Sequence, residues 1–340
     1  MKKILAIIVC AISLPLSMFS FGCGKQEEKV NFKYGDAQTV MQLLINDKIE
    51  FGLLPEPVVT KLEKVRGKDF SWSRVSLQDL YDETTKSYPQ AVLMVKDEIL
   101  NGYPSLVQKV KNKFADNVEW VKNNTDTAVK SVAVKYAETS LNPSKVIDKT
   151  VVENCNISWT DALSDKSAVT DYITRITGIG TEMGISPAKA VTDDFFFSPE
   201  GKTDGDYDGK NFTFYAPDGA PALAIAKFIS DGENFEEGLS FDYNVTVADE
   251  IKNYMNGAKG TADFIIVPVN LASILYKNSE ASYKMVATVT HGNLYLVGKT
   301  SFTLKDLSGK KVGVTGEGKV PDLTFKYVLE KNNMGYETVV

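Results

Sequence analysis

The sequence predicts a two-lobe α/β fold whose segments run in permuted order. Three observations carry that expectation: one pair of strand–loop–helix segments that match each other, a second such pair, and a chain order that displaces one member of the second pair. Repeated units of this kind bury one face of a sheet under helices and build parallel βαβ lobes.

In the first pair, Phe212 opens an alternating strand in NFTFYAPDGAPALAIAKF, and Pro221 follows nine residues later at a helix start. In KVGVTGEGKVPDLTFKYV, Val312 and Pro321 keep the same nine-residue distance. Both prolines suit the first helical turn, where a missing N–H leaves no bond unmade.

The second pair begins at Phe241, in FDYNVTVADEIKNYMNGAKGTADFIIVPVNLASIL, and at Phe32, in FKYGDAQTVMQLLINDKIEFGLLPEPVVTKL. Each reads as strand, loop and helix, then an acidic-Phe pair opening an apolar strand that ends at a proline. Asp263 and Phe264 lead to Pro268; Glu50 and Phe51 lead to Pro55.

Order is what separates the two lobes. The unit at Phe212 precedes the unit at Phe241 by 29 residues, whereas the partner of the Val312 unit lies near the other end, at Phe32. Joining Val340 to Gln26 would set Val312 and Phe32 about 35 residues apart. The chain therefore reads as circularly permuted, which surface termini tolerate. Residues 30–36 are expected to pair beside residues 311–315.

Residues 96–197 read as mostly helical. LVQKVKNKFADNVEWVKNN and TDTAVKSVAVKYAET place apolar residues three and four apart, with breaks at Asn142-Pro143 and Ser186-Pro187. The polar stretch SPEGKTDGDYDGKN reads as a linker.

Composition narrows the function. At 340 residues, with 43% hydrophobic and 24% charged, the chain is globular and long enough for two domains. A net charge of −6, about −8 once Lys2 and Lys3 leave with a signal segment, makes nucleic acid a poor partner. MKKILAIIVCAISLPLSMFSFGC has the basic start, apolar run and small residues of a secretory signal over residues 1–23, and is too short for a spanning helix. SFGC resembles a bacterial lipobox, which implies a lipidated, palmitate-bearing Cys23. Ser20 stands where that pattern prefers Leu, so cleavage by ordinary signal peptidase is the alternative. Loss of Cys10 and lipidation of Cys23 leave Cys155 unpaired, which excludes a disulfide framework. With His291 as the sole histidine, a zinc site or His-based triad lacks material, and no metal or cofactor is expected.

The segments YAPDGAPAL, TADFIIVPVNLAS, LKDLSGKKVGVTGEG and KIEFGLLPEP resemble the solute-binding proteins of ABC importers, in the group handling nitrate, sulfonates, taurine and thiamine-precursor pyrimidines. The resemblance covers nearly all of the mature chain. It implies a type II periplasmic-binding-protein-like α/β fold, two lobes joined by two hinge crossings, here circularly permuted. Lobe 1 would comprise residues 211–298 and 91–197, lobe 2 residues 303–340 and 28–90, with 198–210 as the linker. The crossings are expected near 297–303 and 88–95. It further implies a monomer that is no enzyme, lipid-anchored on the extracytoplasmic face of the cell membrane, passing a small solute to a permease and its ATPase.

Ligands in open α/β sheets bind beyond the carboxyl ends of the strands. That rule selects four loops, with Asp218, Gly219 and Ala220; Asn270; Gly316, Gly318 and Lys319; and Gly35, Asp36 and Glu56. Tyr34 and Tyr215 end matching strands and offer rings for stacking or for the core. Each polar residue also has a structural reading: Asp36 as an N-cap, Asp322 as a partner of the helix dipole, Asn270 as a cap. In the loops Asp218, Asp36, Glu56 and Glu317 face Lys319 alone, without arginine. That inventory favours a neutral or amino-bearing heterocycle over nitrate or a sulfonate, which call for bidentate donors. Two other readings stay open: an enzyme on the same fold, of the pyrimidine-precursor or menaquinone-pathway type, and a surface interaction module without a ligand.

Overall fold

The computed structural model describes residues 29–65, 72–198, 204–205 and 209–339. The expected signal segment, residues 1–23 with Cys23, lies outside them, as does most of the expected linker.

β1 (Lys29–Gly35), α1 (Ala37–Ile45), β2 (Phe51–Pro55) and α2 (Val58–Val65) alternate at the start. β3 (Ser73–Ser76), α3 (Leu77–Tyr81) and β4 (Pro89–Lys96) follow. Helices then dominate: α4 (Asp97–Gly102), α5 (Pro104–Asn123), α6 (Thr125–Lys135) and α7 (Lys149–Asn154), then β5 (Ile157–Asp161) and the long α8 (Ala162–Glu182). β6 (Lys210–Pro217) leads to α9 (Ala220–Leu223), α10 (Ala226–Asp231), β7 (Asn234–Glu236) and β8 (Leu239–Thr246). β9 (Phe264–Pro268), α11 (Val269–Leu275), β10 (Tyr283–His291) and β11 (Leu294–Gly298) come next. β12 (Lys311–Thr315), α12 (Val320–Lys331) and β13 (Gly335–Thr338) end the described chain.

These strands form two sheets, ordered β5-β10-β4-β9-β6-β8-β7 in lobe 1 and β13-β1-β12-β2-β11-β3 in lobe 2. Within them lies one shared plan. In lobe 1, β8, β6 and β9 are parallel, and β4 and β10 continue antiparallel. In lobe 2, β1, β12 and β2 are parallel, and β11 and β3 continue antiparallel. The repeated residues even share a register: Phe212 pairs with Phe241, and Val312 pairs with Phe32. Residues 30–36 thus lie beside residues 311–315, as the displaced repeat requires. On the third strand the register slips, since Phe264 pairs with Phe214 but Phe51 pairs with Val312. A two-residue slip keeps every side chain on its own face.

The crossings are placed differently from the expectation. The chain leaves lobe 1 after His291 and joins the lobe 2 sheet at Leu294, so only Gly292 and Asn293 cross, not residues 297–303. Val297 and Gly298 are committed to β11, bonded between β2 and β3. The return lies between Tyr81 and Pro89, because residues 89–95 are all within β4. The two crossings touch: Gly292 donates its N–H to the Tyr88 carbonyl at 3.0 Å. A Cβ on Gly292 would stand 2.4 Å from the Tyr88 ring, so only glycine permits this approach. Beside it Gln90 Nε2 donates to Asn293 Oδ1 at 2.8 Å.

One apolar core belongs to both lobes. It runs from Phe32, Phe51 and Val314 of lobe 2 to Val92, Met94 and Val267 of lobe 1, through helices α8 and α12. There the buried Tyr172 and Thr324 hydroxyls meet at 2.7 Å. The outer faces have separate cores, an aromatic one under α5, α6 and α10 in lobe 1 and a smaller aliphatic one under α1 and α2 in lobe 2.

Candidate functional site

The loops beyond the parallel strands of the two sheets approach each other. Three contacts span the seam, each built from a loop singled out above.

The first centres on Asp218. It follows β6 in a turn that Gly219 closes at φ 97°, a conformation glycine adopts without strain. Its carboxylate accepts from the Thr139 hydroxyl and, at 2.7 Å, from the Ser140 N–H, fixing the loop after α6. Lys61 of α2, 8% exposed, reaches over from lobe 2 and donates to the Ser140 and Asn142 carbonyls. Burial pulls the Lys61 ammonium below its ordinary pKa, and the Asp218 charge opposes that. One turn further along α2, Lys64 pairs with Asp148 at 3.1 Å. Ala220, buried, starts the short α9 behind this turn.

The second contact is Glu56, 2% exposed, between β2 and α2. It accepts from the Thr60 hydroxyl at 2.9 Å and from Arg74 at 3.0 Å, and Asn154 of lobe 1 stands 3.5 Å away. Burial raises its carboxyl above the ordinary value, while Thr60, Arg74 and Asn154 pull it back.

The third is the glycine loop. Gly316 and Gly318 adopt φ 72° and 68°, and the exposed Lys319 pairs with Asp249, beyond β8 of lobe 1. Beneath the loop Asp322 is fully buried. It accepts from the Gly318 N–H at 2.8 Å, Tyr34 Oη at 3.0 Å and Lys326 Nζ at 3.0 Å. Asp322 therefore does more than favour a helix dipole: it is the anchor on which the loop and Tyr34 rest. Lys326 also faces the rings of Phe32, Tyr34 and Tyr336 within 5.8 Å. Burial, followed by the Asp322 charge, drives the Tyr34 phenol far above its ordinary range.

The remaining candidates are local. Asn270 donates to the Pro187 carbonyl at 3.1 Å and so holds the segment after α8 in lobe 1. Asp36 is exposed and caps α1, accepting from Thr39 N–H at 2.6 Å. Tyr215 stacks on Tyr254 with centroids 4.3 Å apart.

Asp218, Glu56 and the 316–319 loop are thus brought to the seam, and Tyr34 is tied to it through Asp322. Sequence reasoning missed Lys61, Arg74, Asn154 and the 139–142 loop. The Asn142-Pro143 break marked that loop as a turn, but nothing local marks Lys61. Two side chains with conventional reactivity lie elsewhere, in lobe 1. Burial lifts the Cys155 thiol well above its ordinary pKa and lowers that of His291, whose Nδ1 is 2.9 Å from Ser158 Oγ.

No protein-family model and no curated protein sequence matches the chain. Among solved structures it is similar to NikA of Staphylococcus aureus in complex with Ni(L-His)2, at TM-score 0.34 and 8% identity over 80% of this chain and 58% of that one. NikZ of Campylobacter jejuni in complex with Ni(L-His) gives 0.34 and 11%, over 86% and 59%. The oligopeptide-binding protein AppA of Bacillus subtilis, bound to a nonapeptide, gives 0.27 and 11%, over 80% and 57%. The chain spans less than three fifths of each of these proteins.

Proposed function

We propose that the protein is the solute-binding component of an ABC importer, circularly permuted and lipid-anchored through Cys23, holding a small molecule between its lobes. One observation carries this reading: the two sheets repeat a single strand order, joined by two adjacent crossings, with the loops beyond the parallel strands turned toward each other. That is the geometry of a hinged clamp. In this reading the Lys61, Asn154 and Lys319 contacts are the latch, and opening it would free Asp218, Gly219, Ala220, Asn270, Gly316, Gly318, Tyr34 and Glu56 to meet a solute. Asp36 is included as a rim residue. The carboxylates Asp218 and Glu56, with no arginine beside them among the described residues but the Glu56-bound Arg74, suit a neutral or amino-bearing heterocycle.

A thermal-shift panel of pyrimidines, flavins, polyamines, sulfonates and nitrate tests it. A true solute at about a hundred times its Kd adds roughly 2.7 kcal/mol to stability. Lys61→Gln should leave the fold intact and change the apparent affinity, because the latch and the solute are coupled. A cooperative melt that no compound moves, with scattering profiles unchanged by Lys61→Gln, would reject the clamp. The permutation has its own check. A chain beginning at Gly209, with Val340 joined to Gln26, should fold with the same cooperative melt.

A further inference from the structure

The two crossings border a cavity of about 420 Å³ that belongs to none of the loops above. Lys86 and Ser87 line it from the return crossing, His291 from the start of the other, Lys122 from α5, Asn156 from the turn after α7 and Ser158 from β5 of lobe 1. Among the described residues Glu153 is the only carboxylate in its lining. Elsewhere near the seam lysines are matched, Lys64 to Asp148 and Lys319 to Asp249. In contrast, neither Lys86 nor Lys122 has an ion-pair partner among the described residues, in a chain of net charge −6.

Two unmatched ammonium groups outnumber the one carboxylate around this cavity, with the hydroxyls of Ser87, Ser158 and Thr160 beside them. The His291 ring is fixed by Ser158 at 2.9 Å, and Asn156 donates to the Gly292 carbonyl, so the cavity wall is continuous with the crossing itself. We infer that this hinge cavity binds a small oxyanion of the phosphate class, held chiefly by Lys86 and Lys122. Because one lysine rides on the crossing and the other on lobe 1, the bound anion would stiffen the crossing independently of what the main cleft holds.

Titration of the full chain with inorganic phosphate, followed by amide chemical shifts, tests this. The expected result is saturable binding with shifts confined to residues 86–87, 156–158 and 291–292, weakening as ionic strength rises. Lys86→Gln and Lys122→Gln, both at the surface and away from the seam, should each weaken binding about tenfold, the scale of one charge-assisted hydrogen bond. Lys86→Arg should retain most of it. Lys61→Gln should leave phosphate binding unchanged, which separates this site from the main cleft. Absence of saturable shifts, or an affinity unaltered in the Lys86→Gln/Lys122→Gln double variant, would overturn the inference.

Discussion

The two sheets share a strand order but fill it differently. In lobe 1 the parallel strands present Phe212, Phe214, Phe241 and Phe264 to one core, with ring centroids 5.2 to 6.3 Å apart. In lobe 2 the matched strands keep Phe32 and Phe51 but carry Val312 and Val314 where lobe 1 has Phe212 and Phe214, and they place Gly313 beside Gly52, where α1 descends onto the sheet. A Cβ on Gly313 would stand 2.5 Å from Ile49 Cδ1 and 2.9 Å from Val40 Cγ1. The matched position in lobe 1 is Thr213, which bonds Asp263 through its hydroxyl at 3.1 Å. One topology thus carries four phenylalanines on its parallel strands in one lobe, and two with a closer helix approach in the other, so strand order does not dictate how the layers are filled.

That contrast can be broken by substitution. Phe264→Ala should cost about 3–5 kcal/mol in chemical unfolding, the scale for a fully buried ring. Its match Phe51, which meets Phe302 at 5.0 Å, should cost less. Equal losses would remove the distinction. Gly313→Val should cost about 1–3 kcal/mol by overpacking against α1, whereas Thr213→Val should cost about 1 kcal/mol through the lost Asp263 bond. A neutral Gly313→Val would mean that α1 does not sit as close as described.

Smaller effects sharpen the seam. Asp36→Ala should cost about 1 kcal/mol in thermal melts, as an N-cap does, and leave solute affinity unchanged if capping is its whole role. At the α8–α12 junction, burial raises the Glu330 carboxyl above its ordinary 4.5, with Glu182 adding and the Tyr336 hydroxyl opposing. A raised carboxyl binds its proton more tightly in the folded state. Its contribution is therefore complete below about pH 4.5 and fades as pH rises through the folded value. Glu330→Gln should flatten the dependence of melting temperature on pH from about that value upward, and an unchanged slope would assign it to other groups.

Much of the fold was legible because it rests on local pattern. Alternating runs such as FKYG and FTFYAP, prolines in the first turns of α9 and α12, and the nine-residue spacings marked units whose pairing the sheets then display. The parallel pairing of residues 31–35 with residues 311–315 was legible for the same reason, since matching segments are recognised by their own residues wherever they fall in the chain. The candidate site was legible only as loops. Asp218 and Glu56 stood out as charges at strand ends, but their partners Ser140 and Asn154 lie 78 and 98 residues away. The crossings were misplaced because LYLVG is apolar enough for a buried connection, and only the bonds to β2 and β3 make it a strand.

By itself, the sequence determined the units: which residues form strands, where helices start, and which segments follow one local pattern. Those depend on periodicity and on the backbone limits of proline and glycine, which act within a few residues. The tertiary structure alone decided how the lobes meet. Lys61 finds carbonyls 79 and 81 residues distant, and α8 and α12 merge the lobes into one core. Such contacts form only after both lobes exist, because a buried ammonium must take whatever acceptors the opposing surface presents.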